Sequence, residues 1–283
     1  MYRKFANYIK KHEILSFIVM VYICSWAIWG ILYSSCDGII SKSIYKEHIV
    51  VFVSLGSIMP SIISIVLTGC IYKKKGLKQL FIRLTKWRFN IVFYIFVLGY
   101  YPLIYYSIVL IYNTMNNGSK IRFGGTPHWI LVSAIWILIF GGPLGEEIGW
   151  RGFLLPRLQG KFSPFIASLV IGIIWACWHL PLFFIVGTVQ NGTSFPLFVL
   201  STLNLTLQIT WVFNRTKGSL IFPILFHTAS NTAAGLIYGL VMPLSFSFVL
   251  VCITVQLIIT VFIVIDMINN KLDKVVDTNK YLL

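Results

Sequence analysis

Charge is what this chain has least of. Only 11% of its 283 residues are charged, against about a quarter in an ordinary soluble domain. Acidic residues are scarcest, with eight in the whole chain. A soluble globule with so few charges could not keep this many apolar side chains out of water. Cysteine is also sparse. Cys24, Cys36, Cys70, Cys177 and Cys252 form no CxxC pair, which leaves neither a thiol-ligated metal ribbon nor a redox motif. The zincin pattern His-Glu-x-x-His is missing, as are internal repeats and low-complexity linkers.

What is abundant is apolar length. Hydrophobic residues make up 58% of the chain and fall in runs of about 20, enough to cross roughly 30 Å of hydrocarbon as helix. The spacing predicts an all-α polytopic membrane protein with about eight spans around an intramembrane cavity. The spans are expected near 14–33, 49–72, 90–112, 128–157, 164–187, 195–213, 219–240 and 244–265, all within one membrane domain, 1–283. The first run has no small-residue cleavage site after it, so it reads as a retained helix rather than a signal peptide. The fourth is interrupted by Gly141-Gly142-Pro143, and proline is well placed to restart a helix after a break.

The net charge of +15 does not point to nucleic acid, because the basic residues are short clusters between apolar runs. Of the 23 lysines and arginines, all but Lys42, Lys46, Lys120 and Arg122 fall on one side of the eight-span scheme. The positive-inside rule makes that side, and both termini, cytoplasmic. A cell (plasma) membrane is the expected location, with the bilayer itself and a membrane-associated protein or peptide as partners.

Between Glu47 and Asp266 the only acids are Glu146 and Glu147. A carboxylate in a membrane span costs enough to be a functional candidate by default. Glu147 and Arg151 stand at i,i+4 with the acid first, the favourable order for an ion pair. Glu146 is rotated about 100° away and has no such partner, which leaves it for chemistry. His179 is the only ionisable group in its span, and His227 and Asn231 share one helical face at i,i+4. At 1.5 Å per residue, Glu146, His179, His227 and Asn231 lie roughly 16, 22, 12 and 18 Å from the cytoplasmic ends of their spans. These depths are similar enough for the four groups to meet. No Ser-His-Asp order is evident, so hydrolysis would use an activated water. A second route stays open: zinc held by Glu146, His179 and His227, all legitimate ligands.

Glu146-Glu147-x-x-x-Arg151, then an aromatic-x-x-x-His ending at His179, then His227-x-x-x-Asn231, resembles the CPBP family of intramembrane proteases. Gly142 to Leu158 and Trp178-His-Leu-Pro-Leu-Phe183 are similar to it locally, and the motif-bearing region spans roughly 140–235. The family includes type II CAAX prenyl proteases and the bacteriocin-immunity and lysostaphin-resistance types. The resemblance implies Glu146 and His179 as water activators, His227 and Asn231 as oxyanion stabilisers, and Glu147 with Arg151 as support. It implies no cofactor, with zinc as the alternative. Trp175 stands where the family usually has phenylalanine and is expected to keep an aromatic lining. The expected activity is that of an intramembrane endopeptidase, serving protein maturation or bacteriocin self-immunity. The alternatives are a zinc peptidase on the same residues and a non-catalytic immunity or binding protein.

Overall fold

A computed structural model describes residues 9–115, 121–238 and 246–269. It is a bundle of helices: α1 (Glu13–Cys36), α2 (Lys42–Ser57), α3 (Met59–Ile82), α4 (Ile91–Met115), α5 (Pro127–Phe140), α6 (Pro143–Gly149), α7 (Leu155–Gln159), α8 (Pro164–Trp178), α9 (Phe195–Arg215), α10 (Ile221–Gly235) and α11 (Phe246–Asn269). The one extended pairing among the described residues is a two-residue antiparallel clip, Arg122–Phe123 against Ile237–Tyr238. The apolar runs did not announce it.

The surface is inside out by the standard of a soluble protein. Ile23, Ile95, Leu103, Trp129 and Phe262 are each more than half exposed, as lipid-facing side chains must be when lipid is the solvent. Six helical stretches are long and apolar enough to cross a membrane, or seven if the bent pair Pro127–Phe140 and Pro143–Gln159 is one span. The expected seventh span, 219–240, corresponds to α10, which has only 15 residues and so extends only about 22 Å. The expected second span, 49–72, straddles a junction at Ile58 between α2 and α3. Of the basic residues that set the orientation, Arg3, Lys4, Lys120, Lys271, Lys274 and Lys280 lie outside the described residues.

Packing explains how so apolar a chain selects one arrangement. Burial in lipid gives little net drive to bring apolar helices together, so small residues and polar clasps decide the contacts. Gly145 and Gly149 stand one turn apart on α6. A methyl on Gly145 would lie 2.8 Å from the Ile58 Cα, and one on Gly149 would lie 2.5 Å from the Pro60 carbonyl carbon. The two glycines therefore let α6 lie backbone-to-backbone against the start of α3. Elsewhere Gln208 ties three helices together. It accepts from Tyr101 of α4 at 2.6 Å and donates to Thr260 of α11 at 2.8 Å. Phe226 of α10 sits edge-on to Tyr101, with ring centroids 5.0 Å apart. These contacts hold α10 in position beside α6.

Candidate functional site

The site is assembled where α5 breaks. The chain bends by 42° between α5 and the helix that follows, and Gly142 takes φ +105°, with Pro143 opening α6. This is the restart expected of Gly-Gly-Pro. Glycine at 142 is required twice over. Its φ is strained for other residues, and a Cβ there would stand 2.2 Å from Glu146 Oε1. The Glu146 carboxylate occupies the space that a side chain at 142 would fill. One turn later the helix widens into a π turn, Trp150–Leu154, a feature often found at functional sites.

Glu146 and Glu147 are both buried, as are Arg151, His179 and His227. The expected pair forms: Arg151 Nη1 donates to Glu147 Oε1 at 2.8 Å, with both side chains fully buried. The same oxygen also receives His227 Nδ1, at 2.9 Å. Glu147 thus orients the histidine across from α6 to α10 as well as neutralising the arginine, a link that i,i+4 spacing could not reveal. With Nδ1–H directed at a carboxylate, Nε2 of His227 faces away from it.

Glu146 is not free of partners, as its rotation away from Arg151 had suggested. Trp175 Nε1 donates to Glu146 Oε2 at 2.6 Å. The expectation for Trp175 was an aromatic lining; its ring packs against Arg151 and His227, and its N–H adds a polar contact. Its ring lies 5.0 Å beneath the Arg151 guanidinium and edge-on to His227, with ring centroids 5.1 Å apart. One indole therefore touches the acid, the arginine and the histidine. The signal available in the sequence was tryptophan's N–H, which phenylalanine lacks.

His179 sits at the C-terminal cap of α8, where a short 3₁₀ turn takes over within the apolar span Pro164–Phe184. Its Nδ1 lies 2.8 Å from the Trp175 carbonyl oxygen. A carbonyl only accepts, so Nδ1 carries the proton and Nε2 of the neutral ring is an acceptor. Trp178 and Phe198 pack edge-on around it. His179 and Glu146 share no hydrogen bond and are joined through the two ends of Trp175. Asn231 is half-buried, and its Nδ2 donates to Gly141 O over 3.5 Å, the outer limit of such a bond. That contact brings the asparagine to the α5–α6 break.

Among the described residues no three His, Cys, Asp or Glu side chains gather closely enough to hold a metal ion. In this arrangement Glu146 and His179 each bond to Trp175, and His227 bonds to Glu147. An open groove of about 300 Å³ lies between α5 and α10, lined by Trp129, Trp136, Ile137, Thr232 and Leu236 among others. It borders the residue next to Asn231 and does not enclose Glu146.

The buried carboxylate pair, the buried arginine and the two histidines lie together at a helix break in a membrane bundle, and family comparison bears on the same stretch. Residues 127–233 match the family model described as type II CAAX prenyl endopeptidase Rce1-like. All seven residues singled out from the sequence fall inside that match. The chain is similar to CAAX prenyl protease 2 of Methanococcus maripaludis, with 35% identity over 106 residues. That alignment covers 35% of this chain and 39% of the relative, so the likeness is confined to the core.

Proposed function

We propose that this protein is an intramembrane endopeptidase of the CAAX type that hydrolyses a peptide bond with a water activated by Glu146 and His179. The observation that carries the reading is the Glu146 carboxylate. It is buried and held by the Trp175 N–H, yet has no cation in direct contact, beside a second carboxylate that already holds Arg151 and His227. In the first step Glu146 takes a proton from the water and His179 Nε2 accepts a hydrogen bond from it. The water oxygen bonds to the substrate carbonyl carbon, and the C=O π electrons move to the oxygen. His227 and Asn231 donate to that oxyanion. Collapse of the intermediate breaks the C–N bond, and Glu146 returns the proton to the leaving amine.

The His227 role carries a charge requirement. With Nδ1–H on Glu147, its Nε2 can donate only if the ring is an imidazolium. Arg151 and His227 would then balance Glu146 and Glu147, leaving the buried cluster neutral, the state that costs least in low dielectric. The substrate is a membrane-associated protein or peptide, approaching Asn231 along the apolar groove between α5 and α10. Both termini face the cytoplasm of the cell membrane, so cysteines placed near residues 76 and 217 should be labelled from that side and one near 118 from the other. The single-domain reading and the metal-free chemistry belong to the same proposal.

The test is purified, reconstituted protein incubated with prenylated and unprenylated membrane peptides. Wild type should cleave, Glu146→Gln should not cleave while staying folded, and Asn231→Ala should lose about 10²–10³-fold in kcat with little change in KM. Equal cleavage by Glu146→Gln would remove the mechanism. Stoichiometric zinc, with activity lost on chelation and restored by zinc, would replace it with a metal one. A folded wild type that cleaves no precursor, in vitro or in cells, would leave an immunity or binding role.

A further inference from the structure

A second site lies away from the carboxylates, and it does not depend on the proteolytic reading. The short 3₁₀ turn Arg83–Thr85 and the connector to α4 meet the tight turn between α9 and α10 in an open cleft of about 500 Å³. The cleft is lined by Thr85, Lys86, Trp87, Arg88, Phe89 and Lys217. Three of these six are cations and none is an acid.

The cleft is built rather than accidental. Lys86 Nζ donates to the Lys217 carbonyl at 3.1 Å, Ser219 Oγ donates to the Lys86 carbonyl at 2.8 Å, and the Leu220 N–H donates to the Arg83 carbonyl at 3.0 Å. Tyr94 donates to the Trp87 carbonyl. The turn opposite holds Lys217 at φ +50° and Gly218 at φ +74°, a left-handed pair that places an exposed lysine on the rim. Three of these hydrogen bonds thus tie two separate segments into one basic wall. Like charges gathered in one lining repel one another, and none of the six lining residues is an acid that would offset them. An anion would complement the exposed cations Arg88 and Lys217.

The surroundings decide which anion. Trp87 is 57% exposed, with the Arg88 guanidinium 5.5 Å from its ring. Phe81 and Ile82 before it, and Ile91 and Val92 after it, are exposed apolar side chains at the ends of α3 and α4. Tryptophan, cations and the onset of a lipid-facing helix together mark the level of the headgroups. We infer that this cleft binds the phosphate of an anionic phospholipid, with Arg88 and Lys217 facing the charge, Lys86 fixed between the two walls and Trp87 lying at the glycerol level. The turn it would brace leads directly into α10, which carries His227 and Asn231.

Native mass spectrometry of the full-length protein, released from nanodiscs of mixed phosphatidylglycerol and phosphatidylcholine, reads the site directly. Wild type should retain phosphatidylglycerol in preference to phosphatidylcholine. Arg88→Gln with Lys217→Asn, asparagine being tolerant of the left-handed backbone, should lose about thirtyfold of that preference, the effect expected of two cations at a membrane surface. Lys74→Gln with Lys75→Gln removes the same charge outside the cleft and should change it little. The idea fails if the two lipids are retained equally by wild type, or if both double variants lose the preference alike. It also fails if millimolar inorganic phosphate displaces the lipid, which would make the cleft a site for a soluble anion. Should the cleft variant not fold, the wild-type lipid comparison and the phosphate competition still decide the matter.

Discussion

Two arginine–carboxylate pairs in this bundle use the same chemistry in different surroundings. Arg151 and Glu147 are fully buried and share their oxygen with His227. Arg215 and Asp266 join α9 to α11 with side chains 36% and 24% exposed, and Asp266 also accepts from Trp211. A buried pair has given up its hydration and survives only while both partners stay in place. A half-exposed pair keeps water as a substitute. The inner pair is therefore part of the scaffold of the site, whereas the outer one is a clasp between helices that can be opened cheaply. A third pair, Arg157 with Glu13, is nearly as buried as the first. It ties α7 to the start of α1 and touches none of the site residues.

The contrast predicts a graded series. Glu147→Ala strands Arg151 and leaves His227 without its anchor, and should cost about 3–5 kcal/mol of stability. Thermal unfolding in detergent and folded yield measure this, and a normal melting temperature would erase the distinction between the pairs. Next comes Trp175→Phe, which keeps the ring faces toward Arg151 and His227 but deletes the N–H on Glu146. A hydrogen bond to a charged group contributes about 1.5–3 kcal/mol. The expected result is a fall in kcat of about tenfold to hundredfold, with KM and folded yield close to wild type. An unchanged kcat would mean that the indole only packs. The smallest effect is expected from Asp266→Asn. It should shift stability by about 0–1 kcal/mol and leave turnover intact, and a loss as large as that of Glu147→Ala would show that exposure does not govern these pairs.

A fourth variant tests the helix break that presents the inner pair. Gly142→Ala forces a methyl toward the Glu146 carboxylate and strains a φ of +105°. Activity should fall with it, whereas Gly124→Ala, also at positive φ but with open space around the Cβ, should retain it. Peptide cleavage by the two purified variants makes the comparison.

Reading along the chain found what is local or unusual in kind. The apolar runs could be only membrane helices, since nothing else buries so much uncharged length. Gly141-Gly142-Pro143 marked the break because only glycine accepts that backbone and proline restarts a helix. Glu147 and Arg151 were paired in advance because both lie on one helix, one turn apart. Glu146, His179, His227 and Asn231 stood out because polar groups in apolar runs are costly and few.

Contacts between helices were out of reach, for a physical reason. Side chains far apart in sequence meet only once close approaches such as Gly145 and Gly149 against Ile58 and Pro60 have set how the helices cross. That packing turned Glu147 from the partner of Arg151 alone into the anchor of His227 as well. It also gave Glu146 a donor in Trp175, took His179 to the end of its helix, and shortened the expected seventh span to the 15 residues of α10. Composition and spacing by themselves determined a helical membrane protein with a polar cluster in its spans. Which atom of each group points at which other was decided by tertiary packing, because hydrogen bonds across helices depend on rotations and offsets that no run of residues encodes alone.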